Sequence, residues 1–224
     1  MNTVFVKSFE EPKVNISEIV RYMGGDAGDD ATLSLVGRCL AECDGINSYN
    51  VCYCEFPINI SSGLVSFPFA DFKSKALVKN LCGCEKAVLF AATVGLGVDR
   101  LISRYGSVFP SKSLAFQAIG AERIEALCDE FCGFLKNEYG KKNLFLRPRF
   151  SPGYGDLAIE YQKDIFRVLD CSRKIGLSLN ESMLMSPSKS VTAIVGISEN
   201  KSCETRDKCG RCGNLKCAFR SDNI

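Results

Sequence analysis

The chain has 224 residues, 46% of them hydrophobic and 24% charged, with a formal net charge of +2. This length and composition predict a globular domain with a real core, alone or with a short appendage. The near-neutral charge argues against nucleic acid or a membrane as partner, and the longest nearly apolar run, residues 87–98, is too short to span a bilayer. No basic segment followed by an apolar one opens the sequence, which predicts a cytoplasmic protein without a secretory signal.

The first half of the chain mixes strand and helix signals. Residues 1–8 predict a strand, and Asn15 is a suitable N-cap for a helix over residues 16–23. A loop over 24–30 leads to a helix over 31–43, and residues 50–69 alternate in a way typical of a strand pair. We then expect a helix near 71–81 and a buried strand over 87–94.

Helices are predicted near 98–105 and 114–138, extended chain over 144–149, amphipathic helix around 157–169, and a last strand over 191–197. The mixture without regular alternation predicts an α+β domain over residues 1–198. From residue 199 hydrophobic periodicity gives way to Cys, Gly, Lys and Arg, which predicts a separate Cys-rich tail over 199–224. Gly95 and Gly97 follow a strand, but Arg100 stands where a dinucleotide-binding motif needs a small residue, so we interpret them as a plain turn.

Thirteen cysteines and no histidine are the unusual part of the composition. In a reducing cytoplasm the cysteines do not predict a disulfide framework. The absence of histidine excludes Ser-His and Cys-His catalytic pairs, and histidine as a ligand to zinc, cobalt or haem iron. Chemistry must then come from a bound cofactor, carboxylates, thiolates, Lys or Tyr.

Two motifs flank the predicted amphipathic helix. The first is Arg149-Phe150-Ser151-Pro152-Gly153-Tyr154, with Lys163 nine residues after the Tyr; the second runs from Glu181-Ser182 through Met185 and Pro187 to Ser190-Val191. Together they resemble the S-adenosylmethionine-binding core of the activation domain of cobalamin-dependent methionine synthase. That family reads Arg-x-x-Pro-Gly-Tyr, a Lys nine residues later, then Glu-Ser-x-x-Met-x-Pro-x-x-Ser-Val. The resemblance covers roughly residues 120–198.

The first motif also has a physical interpretation of its own. Glycines at 153 and 155 let the backbone approach a ligand closely. The Arg149 guanidinium, beside a glycine turn at a strand end, can give two parallel hydrogen bonds to a carboxylate. The alternative is a surface arginine next to a Pro-Gly turn. Asp156 and Glu160, just beyond the turn, could meet an ammonium or a ribose hydroxyl, or could simply be surface carboxylates.

The resemblance implies a function and a set of site residues. Arg149, Ser151, Pro152, Gly153 and Tyr154 would bind S-adenosylmethionine, with Arg149 on the methionine carboxylate and the Pro-Gly-Tyr turn along the nucleotide and sulfonium. Glu181 and Ser182 would begin the supporting segment. In the family, inactive cob(II)alamin is rescued by one-electron reduction coupled to methyl transfer from S-adenosylmethionine.

The chain also departs from the family pattern. Lacking histidine, it has no Asp-x-His-x-x-Gly cobalt-binding motif, so a corrinoid-binding methyltransferase on another polypeptide would supply cobalamin. The family's aromatic-rich segment is replaced by residues 193–197 and the Cys-rich tail. This suggests a stand-alone activation protein whose electron comes from a donor such as flavodoxin or ferredoxin. The alternatives are a binding or assembly module for a corrinoid methyltransferase that does not turn over S-adenosylmethionine, and a small iron–sulfur electron carrier.

The tail contains Cys203, Cys209, Cys212 and Cys217 around a central Cys-x2-Cys. Four thiolates at such spacing can bind a [4Fe–4S] cluster or a tetrahedral zinc, and metal would order a segment that lacks a core. We prefer the cluster because the spacing is irregular compared with two paired Cys-x2-Cys zinc knuckles. A disordered, reduced tail is the third possibility. Eight of the nine remaining cysteines fall in close pairs, which we interpret as small buried filling rather than a second metal site. The pairs are Cys39 and Cys43, Cys52 and Cys54, Cys82 and Cys84, and Cys128 and Cys132.

Overall fold

A computed structural model describes residues 3–25 and 29–200. Its helices are α1 (Ile16–Tyr22), α2 (Asp30–Cys43), α3 (Lys75–Asn80), α4 (Gly97–Tyr105), α5 (Pro110–Gly140), α6 (Gln162–Leu169) and α7 (Cys171–Ile175), with a 3-10 turn at Ile159–Tyr161. Its strands are β1 (Phe5–Phe9), β2 (Tyr49–Pro57), β3 (Asn59–Ser61), β4 (Leu64–Phe67), β5 (Ala70–Lys73), β6 (Lys86–Thr93), β7 (Phe145–Leu146), β8 (Ser178–Leu179), β9 (Met185–Ser186) and β10 (Ser190–Ser198).

A five-stranded antiparallel sheet in the order β1-β2-β6-β10-β7 is the centre of the fold. Strands β6 and β10 are buried on both faces, which explains their nearly continuous apolar sequences. Side chains alternate between the faces, so two apolar clusters form. One contains Val88, Phe90 and Phe131; the other contains Leu89, Ile165 and Ile194.

Helix α5 covers the first face together with α1, α2 and α4. Its 31 residues span about 46 Å at the usual helical rise. A buried ion pair between Arg123 and Glu122 joins it to the N-terminal segment, because Arg123 also donates to the Pro12 carbonyl and Glu122 accepts from the Asn15 N–H. Helix α5 therefore reaches from the N-terminal region to the edge of the sheet where the first motif lies.

The opposite face is covered by α3, α6, α7 and the small sheet β3-β4-β5. Phe72 of β5 stacks on Tyr161 with ring centroids 4.4 Å apart, and the Tyr161 hydroxyl accepts from the Lys73 N–H. These contacts fix the start of α6 next to the small sheet. The residues that follow the first motif are thus held against the small sheet by a ring stack and a hydrogen bond.

The α+β class is confirmed, and Asn15 caps α1 as expected by accepting from the Glu18 N–H. The helix predicted over 71–81 is wrong at its start: Asp71 lies in β5, and Ser74 caps a shorter helix from Lys75. The strand pair predicted over 50–69 is partly right: β3 and β4 pair with each other, but β2 joins the main sheet instead.

Helix α5 begins at Pro110, a favourable first-turn residue, rather than at 114. The last strand ends at Ser198, where the predicted domain ends; the tail over 199–224 lies outside the described residues from 201 onward, as does part of the predicted loop over 24–30. Among the described residues, no helix combines the length and apolarity needed to cross a bilayer.

Candidate functional site

The first motif extends the edge of the central sheet. The backbone N–H of Phe150 donates to the Ile194 carbonyl at 2.9 Å, and the Ile194 N–H returns a bond to Phe150 at 2.8 Å. Three residues earlier, the Arg147 N–H donates to the Gly196 carbonyl at 2.8 Å. Because β10 begins with the Ser190-Val191 end of the second motif, this pairing places the two motifs side by side.

After Phe150 the chain turns sharply away from the sheet. Gly153 has φ of +91°, which a side chain disfavours, and a Cβ there would lie 2.9 Å from the Ile159 side chain. The Gly153 N–H donates to Leu157 at 2.8 Å and the Tyr154 N–H donates to Ser151 at 3.2 Å, which closes the turn. The Tyr154 ring is left 67% exposed at the surface.

Arg149 points toward α5. Its guanidinium donates to Asp129 at 2.5 Å and forms a second ion pair with Glu125. Its neighbours Cys128 and Cys132 lie one turn apart on the same helix, and burial raises the pKa of both thiols. These thiols are therefore neutral near pH 7, and Arg149 remains the positive group of this part of the site.

The second motif is held by polar contacts to α4, α5 and β6. The Ser188 N–H donates to Asp99 at 2.7 Å, the Lys189 ammonium donates to Gln117 at 2.6 Å, and the Ser190 hydroxyl contacts the Thr93 hydroxyl at 2.8 Å. The Lys189 stem packs against α5 where Gly120 leaves room for it. Glu181 and Ser182 are exposed in the turn between β8 and β9, so they shape the hairpin without entering the site.

The two motifs enclose one cavity of about 340 Å³, within the usual range for small-molecule sites. Its lining combines the arginine turn, the start of α6, one carboxylate of α5 and the β9–β10 segment. The lining residues are Glu125, Arg149, Phe150, Ser151, Pro152, Tyr154, Gln162, Met185, Ser190, Val191 and Thr192. Of the predicted ligand-binding residues, Arg149, Ser151, Pro152 and Tyr154 line it, while Gly153 lies within the turn.

Glu125, Gln162 and Thr192 are lining residues that the sequence did not single out. Glu125 belongs to a helix far from the motif in sequence, and nothing in its neighbourhood marks it. Gln162 and Thr192 carry a weak signal, because each is a polar residue at a position that the apolar periodicity assigns to the interior. Both are nearly completely buried.

Asp156 has a different role from the expected one. Its carboxylate accepts hydrogen bonds from Ser74 and from the N–H groups of Lys75 and Ala76, at 2.8 Å and 3.1 Å for the last two. It therefore caps α3. Glu160 and Lys163 are exposed and do not line the cavity.

Two larger cavities lie on either side of α5. One, of about 680 Å³, meets the motif cavity at Arg149 and is lined mainly by apolar groups of α5 and of the segment around β7. The other, of about 800 Å³, lies between α5 and the N-terminal segment and is lined by five carboxylates: Glu18, Glu122, Asp129, Glu130 and Glu125, which also lines the motif cavity. Neither is lined by both motifs, so the 340 Å³ cavity is the best candidate for a small-molecule site.

Metal ligands are not assembled within residues 3–25 and 29–200, where no group of three or more Cys, Asp or Glu could hold an ion. Cys203, Cys209, Cys212 and Cys217 lie outside the described residues, so the tail site stays a prediction. The paired cysteines at 39 and 43 and at 52 and 54 are buried in the apolar clusters, as are Cys84 and Cys128. Cys82 is exposed and Cys132 half-buried, so apolar filling describes these two less well.

Comparison with known proteins gives two matches. A model of the family described as "Vitamin B12 dependent methionine synthase, activation domain" matches residues 77–211, more than half of the chain. A similar solved structure is described as the crystal structure of the MetH reactivation domain bound to AdoHcy, with a TM-score of 0.62 and 14% sequence identity, covering 91% of this chain and 80% of that chain. No curated protein matches. The structural likeness bears on the fold, and the family match extends both earlier and later than the motifs alone suggest.

Proposed function

Since the chain belongs to the activation-domain family of vitamin B12-dependent methionine synthases, we propose that it binds S-adenosylmethionine and supports reductive methylation of cob(II)alamin on a separate corrinoid methyltransferase. The observation that carries this proposal is the 340 Å³ cavity lined by both motifs. The similar solved structure is described with AdoHcy bound, which is the molecule left when S-adenosylmethionine gives up its methyl group.

The charged end of the cavity suits an amino acid. Arg149 can donate two parallel hydrogen bonds to a ligand carboxylate, and Glu125 beside it can accept from the ligand ammonium. Asp129 also forms an ion pair with Arg149, but the Asp129 side chain is 74% exposed and does not line this cavity. The ligand carboxylate therefore takes the place of Asp129 on the guanidinium, while Glu125 stays.

The other lining groups suit the nucleoside and the sulfonium. Pro152, Phe150 and Met185 give an apolar surface, and the Tyr154 ring stands at the rim. An aromatic face attracts a sulfonium cation, so Tyr154 would hold the methyl-bearing sulfur near the opening. A methyl group at the rim faces outward, toward a docked corrinoid.

In the proposed reaction, cob(II)alamin accepts one electron to become cob(I)alamin, whose cobalt attacks the sulfonium methyl. The carbon–sulfur bond breaks, methylcobalamin forms and S-adenosylhomocysteine is released. The electron would come from a donor such as flavodoxin or ferredoxin. A [4Fe–4S] cluster on Cys203, Cys209, Cys212 and Cys217 would be its entry point, with zinc as the less favoured metal.

Isothermal titration of the protein with S-adenosylmethionine tests the first step. Saturable one-to-one binding that depends on Arg149 supports the proposal. Absence of binding leaves an assembly module for a corrinoid methyltransferase as the better description. A cluster-containing protein with no affinity for S-adenosylmethionine would instead be a small iron–sulfur electron carrier.

A further inference from the structure

Two buried side chains that line the motif cavity each have an oxygen without a hydrogen-bond partner among the described residues. These oxygens are Oε1 of Gln162 and Oγ1 of Thr192. Gln162 is 5% exposed and Thr192 is 2% exposed. A buried polar oxygen without a partner destabilises the folded protein, so such atoms are rare unless a ligand or water completes them.

The two oxygens lie in a largely apolar interface. Thr192 projects from β10 toward the same side as Ile194, and Gln162 is the first residue of α6, which packs on that side with Ile165 and Leu169. This interface is otherwise apolar. The neighbouring hydroxyls of Ser190 and Thr93 are paired, since Ser190 donates to Pro187 and contacts the Thr93 hydroxyl at 2.8 Å.

We propose that Gln162 and Thr192 bind the nucleoside part of the ligand and make the site selective for it over a free amino acid. The inference rests on the proposed S-adenosylmethionine site and extends it. The Gln162 oxygen only accepts, so its partner must be an N–H or O–H donor, while the Thr192 hydroxyl can donate or accept. Adenosine offers both kinds of group in its ribose hydroxyls and its exocyclic amine, whereas the methionine side chain offers neither.

The charged groups of the cavity support the assignment of the amino acid and nucleoside parts of the ligand to different residues. Arg149 and Glu125 form one polar end and match the carboxylate and ammonium of an amino acid. Gln162 and Thr192 are neutral and come from different elements, α6 and β10, so they match a neutral polar group. A site built to hydrogen-bond a ligand discriminates strongly against an analogue that lacks the partner group, because its own buried groups then stay unpaired.

Isosteric apolar variants, Gln162→Met and Thr192→Val, test the proposal with S-adenosylhomocysteine as the titrant. Each should weaken binding about tenfold, the scale of one lost hydrogen bond. In the ligand-free protein, each should leave the melting temperature unchanged or raise it by about 2–4 °C, because an unsatisfied buried oxygen is removed. Ser198→Ala is the control: Ser198 is buried away from the cavity and bonded to Arg147 and Gly83, so this variant should lower the melting temperature and keep the affinity.

Two analogues identify the group that is bound. S-inosylhomocysteine lacks the exocyclic amine, and a 2′-deoxy form of S-adenosylhomocysteine lacks one ribose hydroxyl. The analogue that lacks the true partner should bind wild-type protein weakly and lose no further affinity in the matching variant. Either assignment supports the proposal.

Failure of this inference and failure of the proposed function give different results. If both variants bind S-adenosylhomocysteine as tightly as wild type while Arg149→Ala loses it, this inference is overturned and the proposed function stands. If the ligand-free variants melt lower and keep their affinity, the oxygens are satisfied by water and the inference is again overturned. If wild-type protein binds no adenosyl ligand, the proposed function and this inference are both wrong.

Discussion

Asp156 caps the helix that begins at Lys75: its carboxylate accepts a hydrogen bond from the Lys75 backbone N–H at 2.8 Å. Asp156 follows Tyr154 by two residues, so this bond ties the turn of the first motif to α3. The same carboxylate accepts from Ser74 and Ala76. The turn is thus fixed by a structural carboxylate, which leaves Glu125 as the acidic group that faces the cavity.

The first prediction concerns Asp156 and pH. Hydrogen bonds from Ser74, Ala76 and Lys75 hold the pKa of Asp156 below its ordinary value of 3.8. A lowered folded-state pKa means that this stabilisation is complete above about pH 4 and is lost as pH falls through the folded-state pKa. Asp156→Ala should melt lower than wild type at pH 7, and the gap should shrink on acidification. Melting curves from pH 7 to pH 2 check this; a gap that stays constant with pH would contradict the capping role.

The second prediction concerns Arg149. Arg149→Ala should weaken S-adenosylmethionine binding by about 2–3 kcal/mol, roughly 30- to 150-fold, since charge-assisted hydrogen bonds to the ligand carboxylate are lost. Arg149→Lys should recover only part of this, because an ammonium cannot give two parallel bonds. Calorimetry measures both, with the exposed Arg173→Ala as a charge-matched control. Unchanged affinity in Arg149→Ala would mean that this cavity is not the S-adenosylmethionine site.

The third prediction separates the two carboxylates paired with Arg149. Glu125→Gln should weaken binding, because Glu125 lines the cavity and is proposed to accept from the ligand ammonium. Asp129→Asn should strengthen binding, because the ligand carboxylate no longer competes with Asp129 for the guanidinium. Titration of the two variants in parallel gives opposite signs if the geometry is right. Effects of equal sign and size would mean that both residues act only through Arg149.

The site was predictable from sequence as far as its residues are close along the chain. Arg149, Pro152 and Tyr154 fall within six residues, so their motif is visible, and the Asn15 cap depends on contacts within one helical turn. Glu125 could not be found this way, since its place depends on how α5 crosses the sheet edge. The helix expected from residue 71 failed for a similar reason: pairing of Asp71 with Ser66 in the small sheet outweighed its local helical signal.

The fourth prediction concerns the Cys-rich tail, whose cysteines lie outside the described residues. Protein purified without oxygen should be brown, with broad near-ultraviolet and visible absorption from a [4Fe–4S] cluster. Replacing Cys209 and Cys212 with Ser should remove the colour, whereas replacing Cys39 and Cys43, which are buried in the α2 core, should not. Colourless protein with one equivalent of zinc would favour the zinc alternative, and metal-free protein would leave the tail without a metal-binding role.

The last prediction tests the reaction itself. Mixed with a corrinoid protein in the cob(II)alamin state, an electron donor and S-adenosylmethionine, the protein should promote formation of methylcobalamin, followed by its absorption spectrum. Reduction of cob(II)alamin is unfavourable, and methyl transfer draws it forward by consuming cob(I)alamin as it forms. This coupling requires the sulfonium methyl to lie in line with cobalt. Arg149 at one end of the ligand and the turn from Pro152 to Tyr154 at the other would hold it there.

Two variants divide this reaction into its parts. Arg149→Ala should slow methylcobalamin formation at S-adenosylmethionine concentrations that saturate wild type, and a higher concentration should restore part of the rate. Removal of residues 199–224 should abolish activation by a flavodoxin or ferredoxin donor but leave a chemical reductant effective, if the tail delivers the electron. Equal loss with both reductants would show that the tail is needed for docking or folding instead. Absence of methylcobalamin with every corrinoid partner from the same cell would leave the assembly module as the function, because binding of S-adenosylmethionine alone does not require the ligand to face cobalt.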